Sequence, residues 1–237
     1  MKSKKKIIIP ITILILIIIL SVYLYLNDYY KPTSDVNIYL KNNNLVKVEK
    51  IDKDYYFDGP GTNDIFIFYP GGKVKKESYA PLLNKLAENG IDCYLVDMPF
   101  NLAILNINAA NRVINNYQYE SWYIGGHSLG GATASMYLSK NDKLSGLILL
   151  AAYPTKKINN NIKVLSIYGT NDGVLNLEKY NKNKKYWNDL TQEIIIEGAN
   201  HAQYGNYGNQ KKDNKATIKR EEQQQKTINA IIEFIKN

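Results

Sequence analysis

Ser128 lies in Gly126-His127-Ser128-Leu129-Gly130, with a glycine two positions to either side. A serine hydroxyl is a weak nucleophile unless the backbone holds it exposed beside a base. A sharp strand-to-helix turn does this, and backbone crowding leaves room only for small residues two places before and after. The flanks suit that turn. Ser121-Trp122-Tyr123-Ile124 is a short β-type run, and Leu129, Ala132, Thr133, Met136 and Tyr137 follow at helical spacing. The chain has only two histidines, His127 and His201. His127 occupies the middle of the turn, points away from the serine and reads as a packed structural residue. That leaves His201 as the base. Asp172, in Tyr168-Gly169-Thr170-Asn171-Asp172-Gly173, is the acid that would orient it. In this arrangement His201 takes the Ser128 proton and returns it to the leaving group. Asp172 fixes the imidazole tautomer and stabilises its charged form. Taken singly, each residue has a plainer reading: Gly-x-Ser-x-Gly arises in many turns, Asn-Asp-Gly is an ordinary turn sequence and His201 is an ordinary loop residue. All three at strand ends, in the order Ser, Asp, His, make the joint coincidence hard to sustain.

Such chemistry needs two backbone N–H groups aimed at the developing oxyanion. One should come from Leu129, next to the nucleophile. The other should come from Pro70-Gly71-Gly72-Lys73, with Gly72 the first choice and Lys73 the next. The Lys73 side chain has a possible place near the substrate, although a solvated surface lysine is the plainer reading. Cys93 lies mid-strand and reads as core. Asp97 ends a strand and ranks below Asp172, as a loop or capping residue.

These positions demand a particular scaffold. Residues 45–51 alternate apolar and charged and suggest an edge strand pairing with 55–57. Residues 65–69 are continuously apolar, as in a strand buried on both faces. Ser78 can cap a helix with Tyr79, Leu82, Leu83 and Leu86 on one stripe, closed by Gly90. Residues 91–96 form the next strand and 101–117 a helix burying Leu102, Leu105, Ala109, Val113 and Tyr117. Further strands are expected at 121–125, 144–152, 162–168 and 193–197. A closing helix buries Ile228, Ile231, Ile232 and Ile235. Strands alternating with helices predict an α/β fold: a mostly parallel sheet covered on both faces, with functional groups beyond the strands' carboxyl ends.

The 237 residues suffice for one such domain, at 38–237. One cysteine excludes an internal disulfide, and neither metal nor organic cofactor is called for. Of the net charge of +8, Lys2, Lys4, Lys5 and Lys6 supply four; the +4 that remains is not clustered and argues against nucleic acid as a partner. Residues 7–26 carry no charge and are mostly Ile and Leu. Twenty helical residues span about 30 Å, the thickness of a bilayer core. Pro10 is expected in the first turn, and Tyr23 and Tyr25 at the far interface. The basic tail, 1–6, should remain cytoplasmic and the domain lie outside the cell membrane. No small-x-small cleavage site follows, so an uncleaved signal-anchor is favoured over a cleaved signal peptide. Residues 27–37 read as a polar linker. A monomer is expected.

Several stretches together resemble the α/β-hydrolase superfamily, and within it a small serine-hydrolase family related to the dienelactone-hydrolase group. They are Tyr69-Pro70-Gly71-Gly72-Lys73-Val74, Asp97-Met98-Pro99, the Ser128 turn, Leu150-Ala151-Ala152-Tyr153-Pro154, the Asp172 turn and Glu197-Gly198-Ala199-Asn200-His201-Ala202-Gln203-Tyr204-Gly205. Tyr207-Gly208-Asn209-Gln210 and Arg220-Glu221-Glu222-Gln223 resemble it as well. The resemblance runs from about residue 60 onward and implies a hydrolase with Ser128, Asp172 and His201 as its triad. One departure is Asn206, where members of the family commonly carry Asp. Only nine residues, 153–161, separate two strands where many relatives insert a cap domain. An open site without a lid is therefore expected, with 203–214 as its only partial cover. The expectation is a membrane-tethered hydrolase of a small-molecule or lipid-like ester. Acyl transfer by the same triad, or an idle tethered binding module, are the alternatives.

Overall fold

The computed structural model describes residues 2–141 and 143–237, with side chains from residue 10 onward. Met1, in the expected basic tail, lies outside the described residues. Helix α1 (Lys2–Asn27) begins earlier than residue 7, so the rest of the basic tail continues it. Pro10 consequently lies inside the helix rather than in its first turn. Residues 10–27 are long and apolar enough to cross a membrane, and none of that stretch is buried.

The sheet has eight strands: β1 (Lys47–Ile51), β2 (Asp54–Asp58), β3 (Asp64–Tyr69), β4 (Asp92–Leu95), β5 (Ser121–His127), β6 (Gly146–Leu150), β7 (Lys163–Gly169) and β8 (Thr191–Ile196). Their order is β1-β2-β4-β3-β5-β6-β7-β8. β1 and β2 form an antiparallel edge, and from β4 to β8 every pairing is parallel. All six carboxyl ends of the parallel strands thus lie along one edge of the sheet. β3 shows why continuous apolar runs serve here. Phe66 and Phe68 enter one core, and Ile65, Ile67 and Tyr69 enter the other, each with no exposure. Helices α2 (Ala80–Glu88) and α6 (Arg220–Lys236) cover the first face. The short α3 (Asn111–Ile114) and α4 (Leu129–Leu138) cover the second. Helix α5 (Leu177–Asn183) follows β7 and buries Tyr180. In α6, Ile228, Ile231 and Ile235 are buried and Ile232 packs at the margin.

Two expected elements differ. Residues 101–117 do not form one helix: 3-10 turns cover Pro99–Asn101 and Ala103–Ala110, and only Asn111–Ile114 is α-helical. Asn106 and Asn108 leave helical geometry, as expected of short amides that compete for backbone hydrogen bonds. Ala109 and Val113 are buried, but Leu105 is exposed. Ser78 does not cap α2. It lies in the 3-10 turn Lys76–Tyr79, and the helix starts at Ala80 without a side-chain cap. Pro81, in that first turn, lacks the N–H a cap would serve.

Residues 27–37 leave α1 and bind the domain from Tyr30 onward. Tyr30 pairs with Val74 as an isolated bridge. Thr33 N–H donates to the Asn206 carbonyl at 2.9 Å. The 3-10 turn Ser34–Leu40 follows, and Arg220 reaches Asp35 at 2.9 Å.

Candidate active site

Strand β5 delivers Ser128 to the sheet edge at φ 52°, ψ −122°. A left-handed non-glycine residue costs roughly 1–3 kcal/mol, which the surroundings must over-determine. They do so by close approach. A Cβ on Gly126 or on Gly130 would stand 2.1 Å from the Tyr69 carbonyl oxygen. The two glycines let the turn press against the end of β3, and that contact is the physical content of the motif. Ser128 N–H donates to the Leu150 carbonyl at 2.9 Å, which ties the turn to β6 as well.

Asp172 follows β7 and His201 follows β8. The Asp172 carboxylate accepts Val174 and Leu175 N–H on Oδ1, at 2.8 and 2.7 Å. Its Oδ2 lies 2.8 Å from His201 Nδ1. Both side chains are almost wholly buried. The Nδ1 contact leaves His201 Nε2 on the other side of the ring, buried and with no hydrogen-bond partner among the described residues. Ser128 and His201 line the same cavity of about 300 Å³, with Leu129, Ala132, Ala151, Ala152, Tyr153, Thr155, Val174, Leu175 and Asn176. The structure therefore brings together the three residues that the sequence singles out.

The loop after β3 distinguishes its own N–H groups. Gly71 donates to the Tyr79 hydroxyl at 3.1 Å, and Lys73 donates to the Asn101 carbonyl at 2.8 Å. Among the described residues no protein acceptor takes the N–H of Gly72. Gly72 also packs directly on Leu129, whose Cδ2 would lie 2.9 Å from an added Cβ. Leu129 opens α4, where the first N–H groups have no intrahelical partner. Among the described residues, Gly72 and Leu129 are thus free donors that lie against each other. The Lys73 side chain is not brought to the cavity. Its Nζ lies 2.9 Å from Asp28 and 4.3 Å from the centre of the Tyr25 ring.

A model of the alpha/beta hydrolase family matches residues 65–225. The chain belongs to that family. No curated protein matches it in sequence. Among solved structures it is similar to Est1E from Butyrivibrio proteoclasticus, at 15% identity and a TM-score of 0.56. That match covers 81% of this chain and 100% of the other. It is similar at 15% identity and a TM-score of 0.54 to the propionate-bound thermophilic esterase Est2 from Thermogutta terrifontis, over 80% and 92% of the two chains. A protein from Thermoplasma acidophilum described as a predicted CIB-like hydrolase matches at 17% identity and a TM-score of 0.54, over 79% and 98%. At these identities the likeness is one of fold.

In this α/β hydrolase, His127 is packed, as its place in the turn predicts. Its Nδ1 lies 2.9 Å from the Tyr79 hydroxyl and its ring 4.4 Å from that of His201. Burial holds its pKa well below the usual histidine range, and the neighbouring His201 lowers it further. Gly71 N–H donates to the Tyr79 oxygen, and the same hydroxyl is hydrogen-bonded to His127 Nδ1. One relay thereby links the loop of Gly72 to the turn of Ser128. Cys93 is fully buried, and burial raises its thiol pKa well above the ordinary value. Asp97 pairs with Lys76 at 2.7 Å, away from the cavity.

Sequence reasoning missed Asp213. Its Oδ1 accepts the N–H of Gly173 at 3.0 Å and of His201 at 3.3 Å, and its Oδ2 accepts Ala202 N–H at 2.8 Å. One carboxylate ties the Asp172 turn to the His201 turn. Gln223 was visible only as part of a matching stretch. It exchanges two hydrogen bonds with the Asn200 backbone, at 3.0 and 2.8 Å, and holds the His201 turn to α6.

Proposed function

We propose that this α/β hydrolase is a membrane-anchored serine hydrolase that cleaves carboxylic esters or related acyl bonds. Ser128 attacks the acyl carbon while His201 accepts its proton. Asp172 holds the imidazole and stabilises its positive charge. The oxyanion forms against the N–H groups of Gly72 and Leu129. His201 then protonates the leaving alcohol, and water activated by the same residue releases the acyl group. The observation that carries this reading is the convergence at one cavity of a left-handed Ser128 and a His201 already oriented by Asp172. Helix α1 is read as an uncleaved signal-anchor with the domain outside the cell membrane. Its apolar stretch and preceding lysines support this.

The test is labelling of the domain from residue 28 onward with a fluorophosphonate, locating the adduct by mass spectrometry. Ser128 should be modified, and His201→Ala should lose the label while remaining folded by circular dichroism. A folded protein that takes no label at Ser128 refutes the nucleophile and raises the idle binding module in its place.

A further inference from the structure

The domain hangs from α1 with almost no slack. The helix ends at Asn27, and Tyr30 is already bound to the loop after β3. Its N–H donates to the Lys73 carbonyl at 2.7 Å, and its own carbonyl accepts Lys75 N–H at 2.9 Å. Lys73 reaches back to Asp28 and Tyr25 on the helix side of the junction. From Asn27 to Tyr30 the chain spans at most about 10 Å. The loop carrying Gly72 therefore lies close to the end of the apolar helix.

A second apolar feature meets the same junction. Lys73 N–H donates to the Asn101 carbonyl, which sets the loop after β4 beside it. In that loop Phe100 is 59%, Ile104 41% and Leu105 55% exposed. Outside α1 the described residues include eight large, exposed apolar side chains, and these three fall within six positions. Scattered singly they would be ordinary surface; clustered they mark a contact. Phe100 and Asn101 both have left-handed backbones, at φ 53° and 55°. The turn is closed by Asn101 N–H to Met98 and Leu102 N–H to Pro99, both at 3.0 Å, so Phe100 is held outward. Lys53 and Lys75 stand on the wall of an adjoining groove that also includes Phe100. An apolar tip flanked by lysines suits a lipid surface with its phosphates.

We propose that the 99–105 loop is a second membrane contact. Phe100, Ile104 and Leu105 enter the leaflet from which α1 emerges and hold the Ser128 edge of the sheet against lipid. The substrates are then acyl esters drawn from the membrane rather than from bulk water. This rests on the anchor and hydrolase readings above.

The full chain is reconstituted in phosphatidylcholine–phosphatidylglycerol vesicles. An environment-sensitive dye is attached at Phe100→Cys and, for comparison, at Thr62→Cys, which precedes β3 at the opposite end of the sheet. The unsubstituted chain controls for the buried Cys93. The dye at 100 should emit as in an apolar medium and be quenched by lipid-borne quenchers, and the dye at 62 should do neither. Equal, water-like emission at both sites overturns the contact. In a second arm, Phe100, Ile104 and Leu105 are replaced together by serine. Hydrolysis of a long-chain ester carried in the vesicles should fall about tenfold or more, as the loop no longer enters the lipid. Hydrolysis of soluble p-nitrophenyl acetate should not change. Equal loss on both esters, or on neither, overturns the delivery role. A wild-type protein that cleaves neither ester refutes the hydrolase reading instead, and the dye result still decides the contact.

Discussion

The two halves of the candidate site are held by different physics. On the Asp172–His201 side, polar groups do the holding: the carboxylates of Asp172 and Asp213 accept backbone N–H groups from both turns, and Gln223 ties the His201 turn to α6. On the Ser128–Gly72 side, the holding is steric. Backbone lies against backbone where glycines leave no Cβ, and the donors that matter are left unspent. The first half tolerates the loss of one bond, because each costs only about 1 kcal/mol net. The second half has no such graded response, since a methyl group has nowhere to go.

The sharpest break in that comparison is chemical. Ser128→Ala should lower ester hydrolysis by about 10⁴-fold or more while leaving the melting temperature nearly unchanged, because it removes the nucleophile and no packing contact. A residual rate within tenfold of wild type would move the chemistry elsewhere. Gly130→Ala comes next. Its Cβ would stand 2.1 Å from the Tyr69 carbonyl and 2.4 Å from that of Pro70. A loss of roughly 3 kcal/mol or more is expected, with activity falling together with folding. Urea unfolding checks it, and a stable Gly130→Ala protein would show that the turn can shift.

The steric half was the more legible in the sequence. Glycine spacing around Ser128 reports backbone crowding directly, and Gly71-Gly72 after an apolar strand does the same for the donor loop. The polar half was read only at its functional ends. Asp172 and His201 stood out because few residues of their type sit beyond strand ends. Asp213 did not, since Lys211-Lys212-Asp213-Asn214 resembles any solvated loop and its four-residue pattern says nothing of which N–H groups will face it. The Asn-rich 101–117 segment misled for a related reason. Its apolar residues keep helical spacing, while the backbone leaves helical geometry at Asn106 and Asn108, a residue type of poor helix propensity.

Asp213→Ala measures the polar half. Three backbone N–H groups of the two turns lose their acceptor, at a cost of roughly 1–3 kcal/mol. The expected kinetic result is a kcat lower by about ten- to a hundredfold with little change in KM, because His201 is misplaced relative to Ser128 rather than removed. Wild-type kcat in a folded Asp213→Ala protein would show that Asp172 alone positions the histidine.

The smallest effect tests the departure at Asn206. Its side chain donates to Asp35 at 2.8 Å and accepts from Gln224 at 2.8 Å, and it is buried. An amide can do both; a carboxylate cannot donate, and it would face Asp35. In the wild type the Asp35 carboxyl is held below its usual range, first by the Thr33 hydroxyl and then by Asn206 and Arg220, against the cost of burial. Its contribution is present above the unfolded value near 4 and is lost as pH falls through the depressed folded value. In Asn206→Asp the introduced carboxyl has the opposite sign. Burial and the Asp35 charge raise its folded pKa, so the folded state holds its proton longer than the unfolded state does. Relative to wild type, stability should therefore decline as pH rises from about 4 and settle at a deficit of roughly 1–3 kcal/mol by neutrality. Melting curves of both proteins between pH 4 and 8 give the difference. A deficit that is flat with pH would mean that Arg220 turns to neutralise the new charge, and that the asparagine serves packing rather than electrostatics.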